Sequence, residues 1–237
     1  MTRRRWIADR VEGDHAFLLD HNAAHLFRVL RVKLGQEFEV VADGVLRLGT
    51  VVFASENRVQ FHLSEEIVSP VLPDITVHLS LFKFDRLEWS IEKLTELGVV
   101  RIVPLLAERS GHHLIKAAAT RLARWRKIAH EAAQQSRRIA PPEIAEPASL
   151  NQVLAAVEDN RIVLSETEQS VSLKSILGIC RPPLSLAFGP EGGWTAEEVR
   201  MFGNAGWKSA SLGHTILRAE TAAIAAVSVA FAFSHPD

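Results

Sequence analysis

One cysteine, Cys180, stands in a chain of 237 residues. That excludes an internal disulfide and a cysteine-rich zinc site, and it gives no sign of an oxidising compartment. Long apolar runs are also missing. The most hydrophobic stretch, residues 222–233, is too short to cross a bilayer and reads as a buried helix. No apolar region follows the basic start that ends at Trp6, so no secretory signal is expected. A soluble, cytoplasmic protein is the expectation. Neither G-x-G-x-x-G nor G-x-x-x-x-G-K-[ST] fits the glycine-bearing segments, which disfavours a standard dinucleotide fold and a P-loop. No internal repeat and no low-complexity segment occurs. Net charge is nearly absent as well, at −1, but the basic residues are unevenly spread. Arg3, Arg4, Arg5, Arg10, Arg28, Arg31 and Lys33 crowd the first part, and Arg121, Arg124, Arg126, Lys127, Arg137 and Arg138 the middle. Such patches fit a polyanionic partner, although composition alone favours solvated helix faces.

What is present is a full complement of core residues: 47% are hydrophobic and 23% charged, ordinary for a globular chain. Residues 1–68 read as a small β-barrel domain. Segments 37–41, 45–53 and 58–63 are short and rich in Val and Phe, Asp43-Gly44 is a hairpin signal, and a helical turn over residues 23–30 precedes them. Pro70 and Pro73 mark a linker. From residue 74 to 237 strand and helix alternate, which predicts a mostly parallel sheet covered on both faces. Strands are expected at 75–82, 99–105, 162–164, 184–188 and 208–212. Helices are expected at 87–97, ended by Gly98, at 115–138, at 150–157 after Ser149, at 173–177, at 195–203, and at 220–233. Thr195 and Glu198 form a capping-box pattern.

Two junctions in the last fifty residues carry the chemistry. Phe188 leads into Gly189, Pro190, Glu191, Gly192, Gly193 and Trp194; Leu212 leads into Gly213, His214, Thr215, Ile216, Leu217 and Arg218. In an α/β protein such junctions lie at the carboxyl ends of parallel strands, where ligands bind. Their glycines allow close backbone approach, so free amides there either read the edge of an adenine or close a turn. Arg218 and Glu220 flank the start of the last helix. A guanidinium there binds phosphate, stabilises an oxyanion, or makes a local ion pair. His112 and His113 are adjacent and do not converge readily on one metal. The tryptophans read as core or interface; Trp6, beside arginines, is the best candidate for base stacking.

Taken together, the strings at 188–194 and 212–223 resemble the signature of the bacterial small-subunit ribosomal RNA uridine-N3 methyltransferases, members of the knotted SPOUT superfamily. The stretches at 25–35, 82–99, 104–110 and 124–138 resemble the same family, so the likeness spans nearly the whole chain. It implies an α/β chain with an N-terminal PUA-like β-barrel that helps bind RNA and a C-terminal SPOUT α/β trefoil-knot domain. It implies S-adenosylmethionine as cofactor, no metal, a homodimer, and 16S rRNA of the small ribosomal subunit as substrate. Carried over residue by residue, the cofactor set is Ser165, Glu166, Phe188, Gly189, Pro190, Glu191, Gly192, Gly193, Leu212, Gly213, Ile216, Leu217 and Thr221. Arg218 and Glu220 are the catalytic candidates. Arg3, Arg4, Arg28, Arg31, Arg124 and Arg138 are the RNA-binding candidates. Two positions depart from the family pattern: His214-Thr215 replaces Pro-Arg, and Phe84 replaces the glycine of a K-G-D-R string. The alternatives are a SPOUT enzyme with another RNA target, such as a ribose 2′-hydroxyl, and a non-catalytic RNA-binding assembly factor.

Overall fold

Side chains alternate between core and solvent along residues 58–63. Val59, Phe61 and Leu63 are buried, while Arg58 and His62 are exposed, as a half-buried strand requires. In the computed structural model, which describes residues 5–156 and 160–234, this strand sits in the first of two units. That unit comprises Met1–Val71 and Ala133–Pro141; the second comprises Leu72–Ala132 and Pro142–Asp237.

The first unit contains β1 (Trp6–Ile7), β2 (Arg10–Glu12), β3 (His15–Leu19), α1 (Asp20–Ala24), a π-helical turn (His25–Val29), β4 (Glu37–Ala42), β5 (Val45–Ala54) and β6 (Arg58–Glu66). The strands pair in the order β1-β4-β5-β6-β3-β2, all antiparallel except β1 with β4. The Asp43-Gly44 hairpin forms as the sequence predicts. Asp43 has φ 50° and Gly44 φ 79°, the doubly positive geometry of a two-residue turn that suits strand twist. Register shifts between Arg47 and Gly49 and between Val51 and Phe53 bend β5 and curl the sheet. Gly49 is needed there, because a Cβ would lie 2.8 Å from Val40 Cγ2. β1, β2 and β3 were not expected from sequence. Trp6 is fully buried in this unit's core with Leu18, Leu26 and Phe61. This corrects its reading as a base-stacking platform: an indole with no exposed face offers none.

In the second unit the alternation is between elements. They are β7 (Ile75–Ser80), α2 (Phe84–Leu97), β8 (Arg101–Leu106), α3 (His112–Gln135), β9 (Glu143–Ile144), β10 (Ala148–Ser149), α4 (Leu150–Ala155), β11 (Arg161–Leu164), α5 (Leu173–Leu177), β12 (Leu184–Phe188), α6 (Ala196–Asn204), β13 (Lys208–Ala210) and α7 (Ala219–Ser234). The expected helix 150–157 is described only through residue 156; Val157 lies outside the described residues. Among the described residues the strands form one all-parallel sheet, ordered β10-β8-β7-β12-β11-β13 with β9 on β8. Period two sends Ile162, Leu164, Leu184, Leu186 and Phe188 to one face, against Leu87, Ile91, Trp125 and Val227. Val163, Ala187, Val103 and Leu105 go to the other, against Leu150, Val153 and Phe202. Each fully buried aliphatic or aromatic side chain contributes about 1.5–3 kcal/mol, so both faces must be covered. Gly98 ends α2 at φ 101°, and a Cβ there would also strike the Phe231 ring. Phe84, the departure from the family glycine, opens α2 and packs edge-on against Trp125 with ring centroids 5.8 Å apart.

The segment after α3 belongs to the first unit. Arg5 Nε donates to Glu39 Oε2 at 3.0 Å, Arg137 Nη2 donates to Glu39 Oε1 at 2.5 Å, and Arg5 Nη1 donates to the Arg137 carbonyl. The expected helix to residue 138 stops at Gln135, and Arg137 turns the chain at φ 61°. Arg138 is then only 8% exposed, and burial pushes its guanidinium down to about 10. Arg138, an RNA-binding candidate by sequence, is thus buried within this unit instead of facing solvent. Hydrogen bonding from Arg137, opposed by partial burial and assisted by Arg5, holds the Glu39 carboxyl below the usual carboxylate range. A depressed folded pKa contributes stability that is present above the unfolded value and lost as pH falls through the folded one. Glu39→Gln is therefore expected to cost about 1 kcal/mol at neutral pH, discounted for the solvent-screened Arg137. The difference should shrink as Glu39 protonates below its ordinary range, which thermal unfolding across pH measures.

Candidate functional site

The strand order decides where the junctions meet. β12 and β13 both pair in parallel with β11, placing Phe188 and Ala210 on either side of Leu164. The three chain segments leaving these carboxyl ends are thus neighbours. They enclose a cavity of about 400 Å³, within the range of small-molecule sites.

Of the sequence-predicted cofactor residues, Ser165, Glu166, Phe188, Gly189, Pro190, Glu191, Gly193, Leu212, Gly213, Ile216 and Leu217 line it, and so does Arg218. Gly192, Thr221 and Glu220 are absent from the lining. The Gly192 carbonyl turns outward and accepts from Arg109 Nη1 at 2.8 Å. Thr221 is exposed on the first turn of α7, whereas Ala219 and Ala222, three apart on the same helix, line the cavity. Glu220 is 6% exposed, and its nearest cation is Arg86, at 3.6 Å from Oε1, rather than the sequence-adjacent Arg218. Sequence reasoning missed Arg86, Leu164, Trp194, Ala210, Ser211 and Thr215 as lining residues. Arg86 lies in the quoted string at 82–99, but nothing local ties the start of α2 to two loops a hundred residues away.

The two junctions differ physically. The first is braced. Trp194 is buried, donates from Nε1 to the Leu164 carbonyl at 2.9 Å, and stacks edge-on against Phe202 at 4.9 Å. Thr195 and Glu198 make the predicted capping box, and the spare Glu198 oxygen accepts from the Glu108 amide at 2.8 Å. The second is open. Among the described residues, the backbone amides of Leu212, Gly213, Ile216 and Leu217 donate to no protein acceptor. Ile216 is 83% exposed at the rim. Unspent donors and carbonyls beside Leu164, Leu217 and Ala222 make a site for a flat, polar-edged ring. Arg218 is exposed and has no ion pair among the described residues.

The RNA candidates lie elsewhere on their own units. Arg28, on the π-helical turn, is exposed and pairs with Glu56; Arg31 follows at φ 50° and is exposed. Arg124 is exposed and donates to Glu88 at 2.8 Å, which raises its pKa. Arg3 and Arg4 lie outside the described residues. Among the described residues no cluster of three or more His, Cys, Asp or Glu can hold a metal, and no helix is long and apolar enough to cross a membrane.

Gly193 is held at φ 67°, and a Cβ there would collide with the Glu166 carboxylate. Gly193→Ala is expected to lower stability by about 1–2 kcal/mol, mainly through the strained φ, because the exposed Glu166 side chain can swing aside. Adding Glu166→Ala should therefore recover little of that loss, which chemical denaturation of the single and double variants measures.

Comparison with known proteins agrees with this architecture. Residues 69–231 match the RNA methyltransferase domain family, and residues 18–64 match the RNA methyltransferase PUA domain. The ribosomal RNA small subunit methyltransferase E of Aquifex aeolicus is 31% identical over 223 residues, covering 93% of this chain and 96% of the relative. A crystal structure of the ribosomal RNA small subunit methyltransferase E of Neisseria gonorrhoeae, bound to S-adenosyl methionine, superposes with a TM-score of 0.83 at 28% identity over 95% of each chain. A Legionella pneumophila protein solved with bound cofactor SAM gives a TM-score of 0.84 at 27% identity, covering 98% of this chain and 97% of that one. The chain belongs to the RNA methyltransferase family that includes ribosomal RNA small subunit methyltransferase E, and it has the SPOUT and PUA-like architecture of that family.

Proposed function

We propose that this chain is an S-adenosylmethionine-dependent methyltransferase that methylates N3 of a uridine in 16S rRNA of the small ribosomal subunit. The observation that carries the reading is the run of unspent backbone groups from Leu212 to Leu217 along an apolar-walled cavity. Those residues fit an adenine: amides of Leu212, Ile216 and Leu217 meet its edge, and Leu164, Leu217 and Ala222 pack on its faces. Glu166, which faces the cavity across Gly193, offers acceptors to ribose hydroxyls. Bound there, the cofactor supplies a methyl group already activated on a sulfonium.

Uracil N3 is a poor nucleophile until it loses its proton, and in a duplex it is hidden in the pairing edge. The target uridine is therefore unpaired or turned outward. Arg218, exposed beside the cavity, stabilises the negative charge that spreads to the uracil carbonyl oxygens as N3 gives its proton to water. Arg28, Arg31 and Arg124 are exposed cations suited to RNA phosphates. We further propose a cytoplasmic homodimer, in which a second copy covers the exposed rim at Ile216.

The reading is tested by methyl transfer from labelled cofactor onto small subunits that lack the modification, with the product mapped by mass spectrometry of digested RNA. N3-methyluridine is expected; a ribose-methylated product or no transfer overturns it. Arg218→Ala is expected to lower kcat by about 10²–10³ with cofactor and RNA affinity retained. An unchanged kcat removes the assigned role.

A further inference from the structure

Arg86 faces the cavity from the first turn of α2, and the way it is held is unusual for a wall residue. Two carboxylates share one of its nitrogens. Nη1 lies 2.9 Å from Glu191 Oε1 on the first junction and 3.6 Å from Glu220 Oε1 on α7. A guanidinium carries five N–H donors in a rigid plane. Among the described residues, neither Nε nor Nη2 of Arg86 has a partner. The side chain is therefore pinned at one corner, with its two-nitrogen edge unspent.

Glu220 explains the pinning. It is 6% exposed, its Oε2 is buried without a hydrogen-bond partner, and it does not line the cavity. A carboxylate so placed is costly without a nearby cation. Arg86 is that cation, so Glu220 acts on the cavity through Arg86. Glu191 fixes the same nitrogen from the opposite segment. Two carboxylates at Nη1 formally outweigh the one guanidinium, so what Arg86 offers a ligand is directed, planar hydrogen bonding rather than net charge.

We infer that Arg86 binds an oxyanion through its Nε–Nη2 edge, and that Glu191 and Glu220 are positioning residues that aim it. This rests on the proposed methyltransferase function, which supplies two sources of such a group. One is the carboxylate at the amino-acid end of the cofactor; the other is a backbone phosphate beside the target uridine. Both suit bidentate guanidinium recognition.

Arg86→Lys tests it, because the ammonium still neutralises Glu220 while the planar edge is lost. Thermal unfolding checks that the variant is folded. If the oxyanion is the cofactor's carboxylate, calorimetry should show S-adenosylmethionine binding weakened about ten- to a hundredfold. Methylthioadenosine, which lacks the amino-acid end, should bind as to the unsubstituted protein. If it is a phosphate, cofactor affinity stays and KM for small subunits rises by a similar factor. A folded Arg86→Lys protein within twofold of the unsubstituted one in both arms overturns the inference. Should Arg86→Lys not fold, Glu191→Gln takes its place. It should weaken the same arm by a smaller factor, and no change in either arm overturns the assignment. The unsubstituted protein assayed in parallel separates the two readings. If it forms no N3-methyluridine, the proposed function fails. If it does and the variants match it, only the role of Arg86 fails.

Discussion

The parallel pairing of β12 and β13 on either side of β11 is the constraint on which the site depends. Parallel strands put all their carboxyl ends on one edge of the sheet, and adjacency within the sheet sets which of those ends are neighbours. Because β11 sits between β12 and β13, the segment carrying Ser165 and Glu166 lies between the two glycine junctions. The apolar faces that fix this order are fully buried: Leu186, Ile162 and Ala210 show no exposed surface. The cavity is thus a consequence of how the core is sorted between two faces of one sheet.

The junctions divide two tasks. The first, from Gly189 to Trp194, is tied down by side chains: the Trp194 indole on Leu164, Arg109 on the Gly192 carbonyl, and Glu198 on the following helix. The second leaves the backbone amides of Leu212, Gly213, Ile216 and Leu217 unspent among the described residues. A rigid wall opposite a polar, unsatisfied one orients a flat ligand with little reorganisation. Arg86 adds a third wall from α2, connected to both sides through carboxylates.

Much of this was legible locally. The Asp43-Gly44 turn, the Gly98 cap and the Thr195–Glu198 capping box each follow from a few adjacent residues, because φ > 0 and free helix amides are local requirements. The five longer parallel strands were legible from apolar runs, whereas the two-residue strands β1, β9 and β10 carry too little pattern. Arg138 and Trp6 were misplaced for one reason: charge and neighbouring arginines speak for exposure, but tertiary packing buried both.

The glycine junctions and the resemblance they carry came from the sequence alone, as did the identity of most cavity residues. What only the tertiary structure decided is which residues act together. Glu220 stands two residues from Arg218 in the chain, yet it pairs with Arg86, 134 positions away. Sequence fixes backbone requirements, which depend on neighbours in the chain. A buried charge finds its partner in space, and that depends on the order in which strands lie side by side.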